Sequence, residues 1–379
     1  IMKNKESNIL FENSPFTVEK LSGKGGSFLV VPCYKGEVFS REKFSEDHKM
    51  FEHAALDFAQ NKIKPQYKEL NKLNKELSLE LFKATGDLGF LGIDVPEKFG
   101  GIDLDKTSAC IILDALSSGR SASIMVTISA HTGIGTLPIV WYGNNFQKEK
   151  YLSKIASGEY LSCYALTEPN AGSDALAGTT TAELSDDKKY YILNGQKIFC
   201  TNGSWADICI TFAKVKDKFT AFILDKTCEG WKVGSEEAKM GIKGSSTTTF
   251  FLENCKVPVE NVLGKVGDGG PIAFNVLYAG RYKLGATTSA GARFTINAAL
   301  DFAKDRFQFD KSIKEFDMIK NKFAQMTTKA WESDSLVYMT TGSIDTAVNK
   351  LDKNDESYYI LLQKIIEDHA IEASVCKVL

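Results

Sequence analysis

The spacing of apolar residues changes twice along the chain. Helical periodicity begins after Glu42, gives way near residue 159 to short runs rich in Thr, Tyr, Ile and Phe, and returns at Ile272. The pattern therefore predicts helices, then strands, then helices. The predicted divisions are an N-terminal arm at 1–41, a helical domain at 42–157, a β domain at 158–268 and a second helical domain at 269–379.

The predicted β domain has a clear turn signal in its interior. Asn194-Gly195 separates Tyr190–Leu193 from Gln196–Cys200, which predicts a two-residue hairpin turn between two strands. Strands and helices do not alternate, so a doubly wound nucleotide-binding fold is not expected. The chain is predicted to be an α+β protein whose middle domain is compact and antiparallel.

The segment between Arg120 and Lys148 contains no charged side chain, which raises the question of a membrane span. Its Ser, Thr, Gly and Pro residues interrupt the apolar character that a span needs, so a buried helix followed by a turn is expected. No secretory signal is readable from Ile1, and this start is compatible with a removed matrix presequence or with partial coverage.

Composition narrows the classes of function. The 46 Lys and Arg nearly balance the 48 Asp and Glu, so the net charge of −2 gives no basic field for nucleic acid. The eight cysteines form no C-x-x-C pair, which indicates reduced thiols and no structural metal site. The four histidines are expected to be structural, and no metal ligands are predicted. Neither G-x-G-x-x-G nor a P-loop occurs.

The most informative segment is Tyr164-Ala-Leu-Thr-Glu-Pro-Asn-Ala-Gly-Ser-Asp174, which leaves a predicted strand and enters a turn. Thr167 and Ser173 supply hydroxyls, and Gly172 lets the backbone approach a ligand closely. Such a turn can contact a flat heteroaromatic ring and a phosphate. Standing alone, the segment would more simply be a polar turn between strands.

Four further motifs follow it in order, and together the five resemble the acyl-CoA dehydrogenase family over about residues 44–379. The family fold implied is an N-terminal helical domain, a middle β-barrel domain and a C-terminal helical bundle, which is incomplete in this chain. The four motifs are Gly195-Gln-Lys-Ile-Phe-Cys-Thr-Asn-Gly203, Met240-Gly-Ile-Lys243 with Val257-Pro-Val-Glu-Asn-Val-Leu-Gly264, Gly280-Arg-Tyr-Lys-Leu-Gly285, and Asp305-Arg-Phe-Gln-Phe309.

The resemblance implies that the protein binds FAD. A hydroxyl donor near the flavin pyrimidine edge would stabilise the negative charge that develops as the ring accepts hydride. Phe199 stands where the family usually has Trp, so this aromatic wall is smaller. Arg306, Gln308 and Phe309 would reach the FAD of a neighbouring subunit, which implies a homodimer. The implied FAD residues are Tyr164, Leu166, Thr167, Gly172, Ser173, Phe199, Cys200, Thr201, Arg306, Gln308 and Phe309.

The substrate implied by the resemblance is an acyl-CoA thioester. Ser173, Tyr278 and Arg281 match positions that meet the CoA portion, and a guanidinium suits a phosphate-bearing ligand. Thr248 stands where many relatives carry Arg. The reaction implied is α,β-dehydrogenation, in which a carboxylate removes the α-proton while hydride leaves the β-carbon.

No catalytic residue is assigned. The family places its base either in a C-terminal Glu-Gly-Thr motif, which this chain does not contain, or directly before the arginine at 281, where Gly280 stands. Glu367, Asp368 and Glu372 lie in an amphipathic helix and are expected to be solvated or salt-bridged.

The N-terminal motifs resemble the very-long-chain branch of the family. This implies long-chain acyl-CoA as substrate, electron-transferring flavoprotein as acceptor, and a location in the mitochondrial matrix or at the inner membrane, with the bacterial cytoplasm as the alternative. Two other functions stay open. One is a catalytically inactive scaffold for respiratory complex I assembly, with respiratory-complex proteins as partners, and the other is an acyl-CoA oxidase.

Overall fold

The computed structural model describes residues 21–29 and 38–379. Most of the predicted N-terminal arm, including Cys33, lies outside these residues. The described piece at 21–29 lies beside the end of the chain, since the Gly26 amide donates to the Glu372 carboxylate at 2.5 Å. Glu372 is therefore buried, and the expectation that it is solvated or salt-bridged is wrong. Glu367 and Asp368 are exposed, as expected.

The N-terminal region is helical, as the apolar spacing predicts. Five of its helices begin at a side-chain cap, in which a Ser, Asn or Asp oxygen accepts a backbone amide three residues later; the caps are Ser45, Asn74, Asp105, Ser121 and Asn144. The helices are α1 (Glu46–Phe58), α2 (Tyr67–Leu70), α3 (Lys75–Asp87), α4 (Lys106–Ser117), α5 (Ala122–Ala130), α6 (Leu137–Tyr142) and α7 (Asn145–Ala156).

The uncharged segment forms α5 and α6, joined by a π-helical turn at His131–Gly135. The stretch Ala122–Tyr142 is long and apolar enough to cross a membrane by length and composition alone, but 78% of its apolar window is buried inside the protein. It packs as a core helix, which agrees with the sequence-based expectation. The predicted turn is the π turn, and the helix continues beyond it.

The middle region is an eight-stranded sheet. Its order is β6-β7-β3-β2-β4-β5-β8, and β1 pairs with β4 beside that path. Two pairings, β1 with β4 and β2 with β4, are parallel, so the purely antiparallel prediction is wrong. Among the described strands β6 and β8 end the sheet without pairing to each other, so no closed barrel is seen. The strands are β1 (Ser162–Ala165), β2 (Thr181–Leu184), β3 (Tyr190–Thr201), β4 (Ile208–Val215), β5 (Lys218–Asp225), β6 (Trp231–Glu236), β7 (Thr247–Pro258) and β8 (Val262–Leu263).

The predicted hairpin turn at Asn194-Gly195 is wrong, because both residues lie inside the continuous strand β3. The pairing of β3 with β7 shifts register here, which marks a β-bulge. Asn194 accepts from the Asn254 amide at 2.8 Å, and a Cβ on Gly195 would lie 2.4 Å from the Thr180 hydroxyl. Asn194 thus holds the β-bulge against β7, and Gly195 allows Thr180 to approach the backbone of β3 closely.

The C-terminal region is again helical. Its elements are α8 (Gly269–Asp305), a hairpin of β9 (Phe307–Gln308) and β10 (Lys311–Ser312), α9 (Asp317–Val348), α10 (Tyr358–Asp368) and α11 (Ala370–Val378). Apolar side chains of α8 and α9 join those of α4, α6, α7 and the sheet in one buried core. Seven cysteines, at 110, 163, 200, 209, 228, 255 and 376, are free thiols buried in the structure.

Candidate functional site

The segment after β1 is held directly against the middle of β3. The Ile198 amide donates to the Thr167 carbonyl at 2.9 Å, so the first and second sequence motifs meet at this point. This hydrogen bond brings Thr167 beside Phe199 although the two are far apart in the chain. The structure therefore assembles, in one place, the residues that the resemblance assigns to the flavin ring.

A buried ion pair fixes this segment. Lys197 donates to the Glu168 carboxylate at 2.6 Å, and both side chains are buried. The same carboxylate accepts the backbone amides of Thr179 and Thr180. The Lys197 ammonium and these donors lower the pKa of Glu168 to about 2, so Glu168 is ionised at neutral pH. Glu168 therefore ties β3 and the start of β2 to the loop after β1.

Three side chains remain available to a ligand at this junction. Phe199 has a φ of 58° and its side chain is 61% exposed, so its ring stands out from the sheet. Thr167 and Thr201 are half-buried, and within residues 21–29 and 38–379 neither hydroxyl has a hydrogen-bond partner. Two partly desolvated donors beside an exposed aromatic ring suit a polar, planar ring system such as a flavin.

The other motif residues contribute backbone or space. Tyr164 is buried, with its ring 5.3 Å from that of Phe212, and Cys200 is buried with its thiol facing the core. Gly172 and Ser173 are exposed, and a Cβ built on Gly172 would have no heavy atom within 4 Å. Leu166 is half-buried. Open space at Gly172 is what a ligand lying against the backbone requires.

Thr248 stands at a buried position where β3 pairs with β7. A Cβ on Gly203 would lie only 2.1 Å from the Thr248 hydroxyl, so the glycine leaves room for this side chain. Among the described residues the hydroxyl has no hydrogen-bond partner. Nothing in the structure explains why threonine stands here in place of arginine.

The predicted CoA residues lie near the start of α8. The Arg281 guanidinium stacks on the Tyr278 ring at 4.9 Å, and both residues are half-buried. Between them Gly280 faces the π turn, since a Cβ there would lie 3.5 Å from the Ile134 side chain. Leu176, in the loop that follows Ser173, lies 3.7 Å from the Cβ position of Gly270. The loop after β1 and the first turn of α8 are thus neighbours.

Arg306, Gln308 and Phe309 lie elsewhere. They follow the far end of α8, in the β9–β10 hairpin, and all three are exposed; Phe309 is 87% exposed. At 1.5 Å per residue, the helix separates Tyr278 from this hairpin by about 40 Å. The hairpin therefore does not complete the site formed by the start of its own α8.

The sequence-based reasoning missed the residues that support the site. Glu168 and Lys197 belonged to recognised motifs but were given no role, although a lysine at an inward-facing strand position was a usable signal. His131 was expected to be structural. It joins the π turn to β1, because its Nδ1 accepts from the Ser162 amide at 3.1 Å and its Nε2 donates to the Ile155 carbonyl. Burial lowers the pKa of His131 to about 3, so the ring is neutral.

No group of three or more His, Cys, Asp or Glu in the described part of the chain could hold a metal ion. The groups that the structure places at the site are hydroxyls, an exposed aromatic ring, backbone groups and the Arg281 guanidinium. These groups bind and polarise a ligand.

Comparison with known proteins agrees with this geometry. Family models of the acyl-CoA dehydrogenase N-terminal, middle and C-terminal domains match residues 45–159, 163–255 and 267–374. A probable acyl-CoA dehydrogenase of Bacillus subtilis (strain 168) is 40% identical over 94% of this chain and 60% of its own length. The mitochondrial very long-chain specific acyl-CoA dehydrogenase of Rattus norvegicus is 35% identical over 87% of this chain and 53% of its own length.

The fold comparison points the same way. The crystal structure of an acyl-CoA dehydrogenase complexed with FAD from Bacillus anthracis superposes with a TM-score of 0.90 at 43% identity, covering 94% of this chain and 60% of that one. The chain thus spans between half and two thirds of the length of these relatives. With three domain models matched in order and the flavin motifs assembled at one junction, the chain belongs to the acyl-CoA dehydrogenase family.

Proposed function

We propose that the protein binds FAD and an acyl-CoA thioester and serves the α,β-dehydrogenation of that thioester. The observation that supports this most is the junction of the loop after β1 with β3. There the hydroxyls of Thr167 and Thr201, which have no hydrogen-bond partner in the described part of the chain, lie beside the exposed ring of Phe199. The bound FAD would supply the acceptor for the hydride that leaves the β-carbon.

The residues of this chain bind and orient. Thr167 and Thr201 would donate hydrogen bonds to the polar edge of the isoalloxazine ring, and Phe199 would cover one side of it. Gly172 leaves room for the cofactor to approach the backbone. Arg281, held on Tyr278, meets the phosphates of CoA through its planar fork of donors. No residue of this chain is assigned to remove the α-proton.

The proposed substrate class is a long, straight acyl chain, in keeping with the very-long-chain branch. Gly280 on α8 lies against Ile134 of the π turn, and we name the open space beside Gly133, next to this contact, the acyl slot. A Cβ on the buried Gly133 would have no heavy atom within 4 Å, so the turn does not fill its surroundings. A slot lined by glycine and isoleucine suits methylene groups.

The proposed active unit is a homodimer. Arg306, Gln308 and Phe309 lie about 40 Å along α8 from Tyr278, so they suit the FAD of a second copy. Exposed Phe302, beside the hairpin on α8, extends the uncovered aromatic surface there. Electron-transferring flavoprotein as acceptor and the mitochondrial matrix, inner membrane or bacterial cytoplasm as location are proposals that follow from the family resemblance.

A second candidate function is a catalytically inactive scaffold for respiratory-complex assembly. The observations in its favour are that Gly280 stands directly before Arg281, where some members of the family carry the base, and that Phe199 and Thr248 depart from the family pattern. Flavin binding without turnover is the expected behaviour of such a protein.

The test uses the purified chain reconstituted with FAD. Thr167→Val and Thr201→Val should each weaken FAD binding about tenfold, since each removes one hydrogen bond from a desolvated site. Thr181→Val, on the exposed face of β2, is the matched control and should bind FAD normally. Equal FAD affinity in all three variants would contradict the flavin site.

Turnover separates the two candidate functions. Hexadecanoyl-CoA with an artificial electron acceptor should be oxidised by the FAD-loaded protein expressed from its complete gene if it is a dehydrogenase. Flavin that stays bound and oxidised throughout would favour the scaffold. Consumption of oxygen without added acceptor would instead indicate an acyl-CoA oxidase.

A further inference from the structure

One buried lysine links α8 to the π turn that borders the acyl slot. Lys283 is almost fully buried, and its ammonium donates to the Asp94 carboxylate at 2.5 Å and to the Thr132 carbonyl at 3.1 Å. Asp94 accepts from a second buried lysine, Lys106, at 2.5 Å. The two lysines share one carboxylate, but only Lys283 reaches the π turn.

The π turn needs such a donor. In a π-helical turn the hydrogen bonds span five residues, and carbonyls at its start are left without the usual α-helical partner. The His131 carbonyl accepts from the Thr136 hydroxyl at 2.6 Å, and the Thr132 carbonyl accepts from Lys283. The widened turn is thus stabilised by side chains, one from its own segment and one from α8.

The contact lies close to both proposed substrate contacts. Lys283 is two residues after Arg281 and three after Gly280, which faces Ile134 at the Cβ distance of 3.5 Å given above. One turn of α8 therefore carries the guanidinium proposed for CoA, the glycine that borders the acyl slot and the lysine that holds the opposite border. The position of the π turn against α8, and with it the width of the acyl slot, depends on this link.

We propose that Lys283 is a positioning residue that fixes the width of the acyl slot and thereby the preference for acyl-chain length. This inference rests on the proposed function, because it takes the space beside the π turn to be where the acyl chain binds. Asp94 orients the ammonium, and the Thr132 carbonyl is the group that is held. When the link is lost, the turn relaxes and long chains lose their ordered contacts, whereas CoA itself keeps its contacts.

The chain offers a matched control. Lys283→Met and Lys106→Met each remove one buried cation from Asp94, but only the first frees the Thr132 carbonyl. Lys283→Arg retains a donor of the same charge and should recover part of the preference. The measurement is calorimetric affinity of the FAD-loaded full chain for butanoyl-CoA and hexadecanoyl-CoA.

We expect Lys283→Met to weaken hexadecanoyl-CoA binding about tenfold while butanoyl-CoA binding changes little, as for loss of a hydrogen bond to a charged group. Lys106→Met should leave the ratio of the two affinities unchanged. An equal change of the ratio in both variants, or in neither, would overturn the positioning role. Should Lys283→Met not fold, Thr136→Val perturbs the same turn and is expected to shift the ratio in the same direction; an unchanged ratio there would overturn the role.

Amide hydrogen exchange gives a readout that needs no substrate. The amides of residues 133–137 should exchange faster in Lys283→Met than in Lys106→Met, because only the first loses its anchor to α8. Equal exchange would overturn the structural link. Exchange that differs as expected, together with a wild-type chain that binds no acyl-CoA, would overturn the proposed function and the slot assignment while the link itself stands.

Discussion

Two buried carboxylates support the site, and their lysine partners lie at very different separations along the chain. Glu168 pairs with one lysine of the same domain and accepts backbone amides from the segment it anchors. Asp94 pairs with two lysines, one at the start of α4 and one on α8, 189 residues away. Favourable charge partners lower the pKa of both carboxyls to about 2. Glu168 shapes a loop, whereas Asp94 positions one domain against another.

The difference lies in what remains when a partner is removed. Without Lys197, Glu168 would keep the amides of Thr179 and Thr180, so its charge would still be partly compensated. Without Asp94, two buried ammonium groups would face each other with no carboxylate between them. Buried charges without partners are far more costly than the intact pair is stabilising. Removing one partner should therefore lower the free energy of unfolding more in the cluster of Asp94, Lys106 and Lys283 than in the pair of Glu168 and Lys197.

The largest effect is expected for Asp94→Asn. The free energy of unfolding should fall by about 5 kcal/mol, because two buried cations lose their counter-charge. The measurement is urea unfolding followed by circular dichroism. Asp103→Asn is the control, since Asp103 also joins the N-terminal region to the C-terminal one through Lys353, at the surface. The control should lose less than about 1 kcal/mol. Equal losses in the two variants would show that the buried ion pairs of Asp94 stabilise the fold no more than the surface pair of Asp103 does.

A smaller loss, about 3 kcal/mol, is expected for Lys197→Met, because the amides keep part of the compensation for Glu168. The same unfolding measurement applies, together with FAD affinity, which should fall since the loop after β1 loses its anchor. Lys256→Met is the control. Lys256 lies on β7 and forms an exposed ion pair with Glu229, so its loss should leave both quantities unchanged. A Lys197→Met protein as stable as the control would contradict the role of the Glu168–Lys197 pair in anchoring the loop after β1.

The smallest effect concerns pH and a third carboxylate, Asp345. It accepts the Lys106 and Thr107 amides, and burial together with the nearby Asp105 charge raises its pKa to about 6. Since its pKa in the unfolded chain is near 3.8, the folded state binds more protons between these values, and this group's contribution to stability falls as pH rises from 4 to 6.

Asp345→Asn should therefore make stability rise more steeply, or fall less, over that pH range than in the wild type. The slope of the unfolding midpoint against pH measures this, and Asp217→Asn, in an exposed turn, is the control. The sign is opposite for Asp94 and Glu168, whose contributions are lost only as pH falls below about 4 toward 2. An unchanged slope would contradict the raised pKa of Asp345.

The sequence predicted the helices well because their apolar faces and caps are local features. The helical periodicity predicted after Glu42 corresponds to α1 to α7, and caps such as Asn74 and Asp105 lie directly before their helices in the sequence. The motifs also predicted that Thr167, Phe199 and Thr201 belong to one site, since each motif is contiguous, and the structure brings these residues together. Asn194-Gly195 failed for the opposite reason. The same dipeptide serves a turn or a bulge, and the choice depends on the neighbouring strands β2 and β7, which the local sequence does not show.

The supporting residues escaped prediction because their partners are distant in sequence. Nothing near Lys283 indicates that Asp94 and Thr132 surround it, and nothing near Glu372 indicates the Gly26 amide. Burial of a charged side chain is a property of the folded chain, whereas a signature motif is a property of a short segment. The residues proposed to contact the ligands could therefore be predicted from the sequence, whereas the buried polar contacts that support them could not.

The seven buried thiols give the protein an internal reporter of its own integrity. Burial raises the pKa of thiols such as Cys163 and Cys209, and only the thiolate reacts readily with alkylating agents. These positions are unreactive in the folded protein and become reactive when the core opens. The rate at which iodoacetamide modifies each cysteine-containing peptide therefore reports the opening of the sheet, the C-terminal helices and α4 separately, without any introduced label.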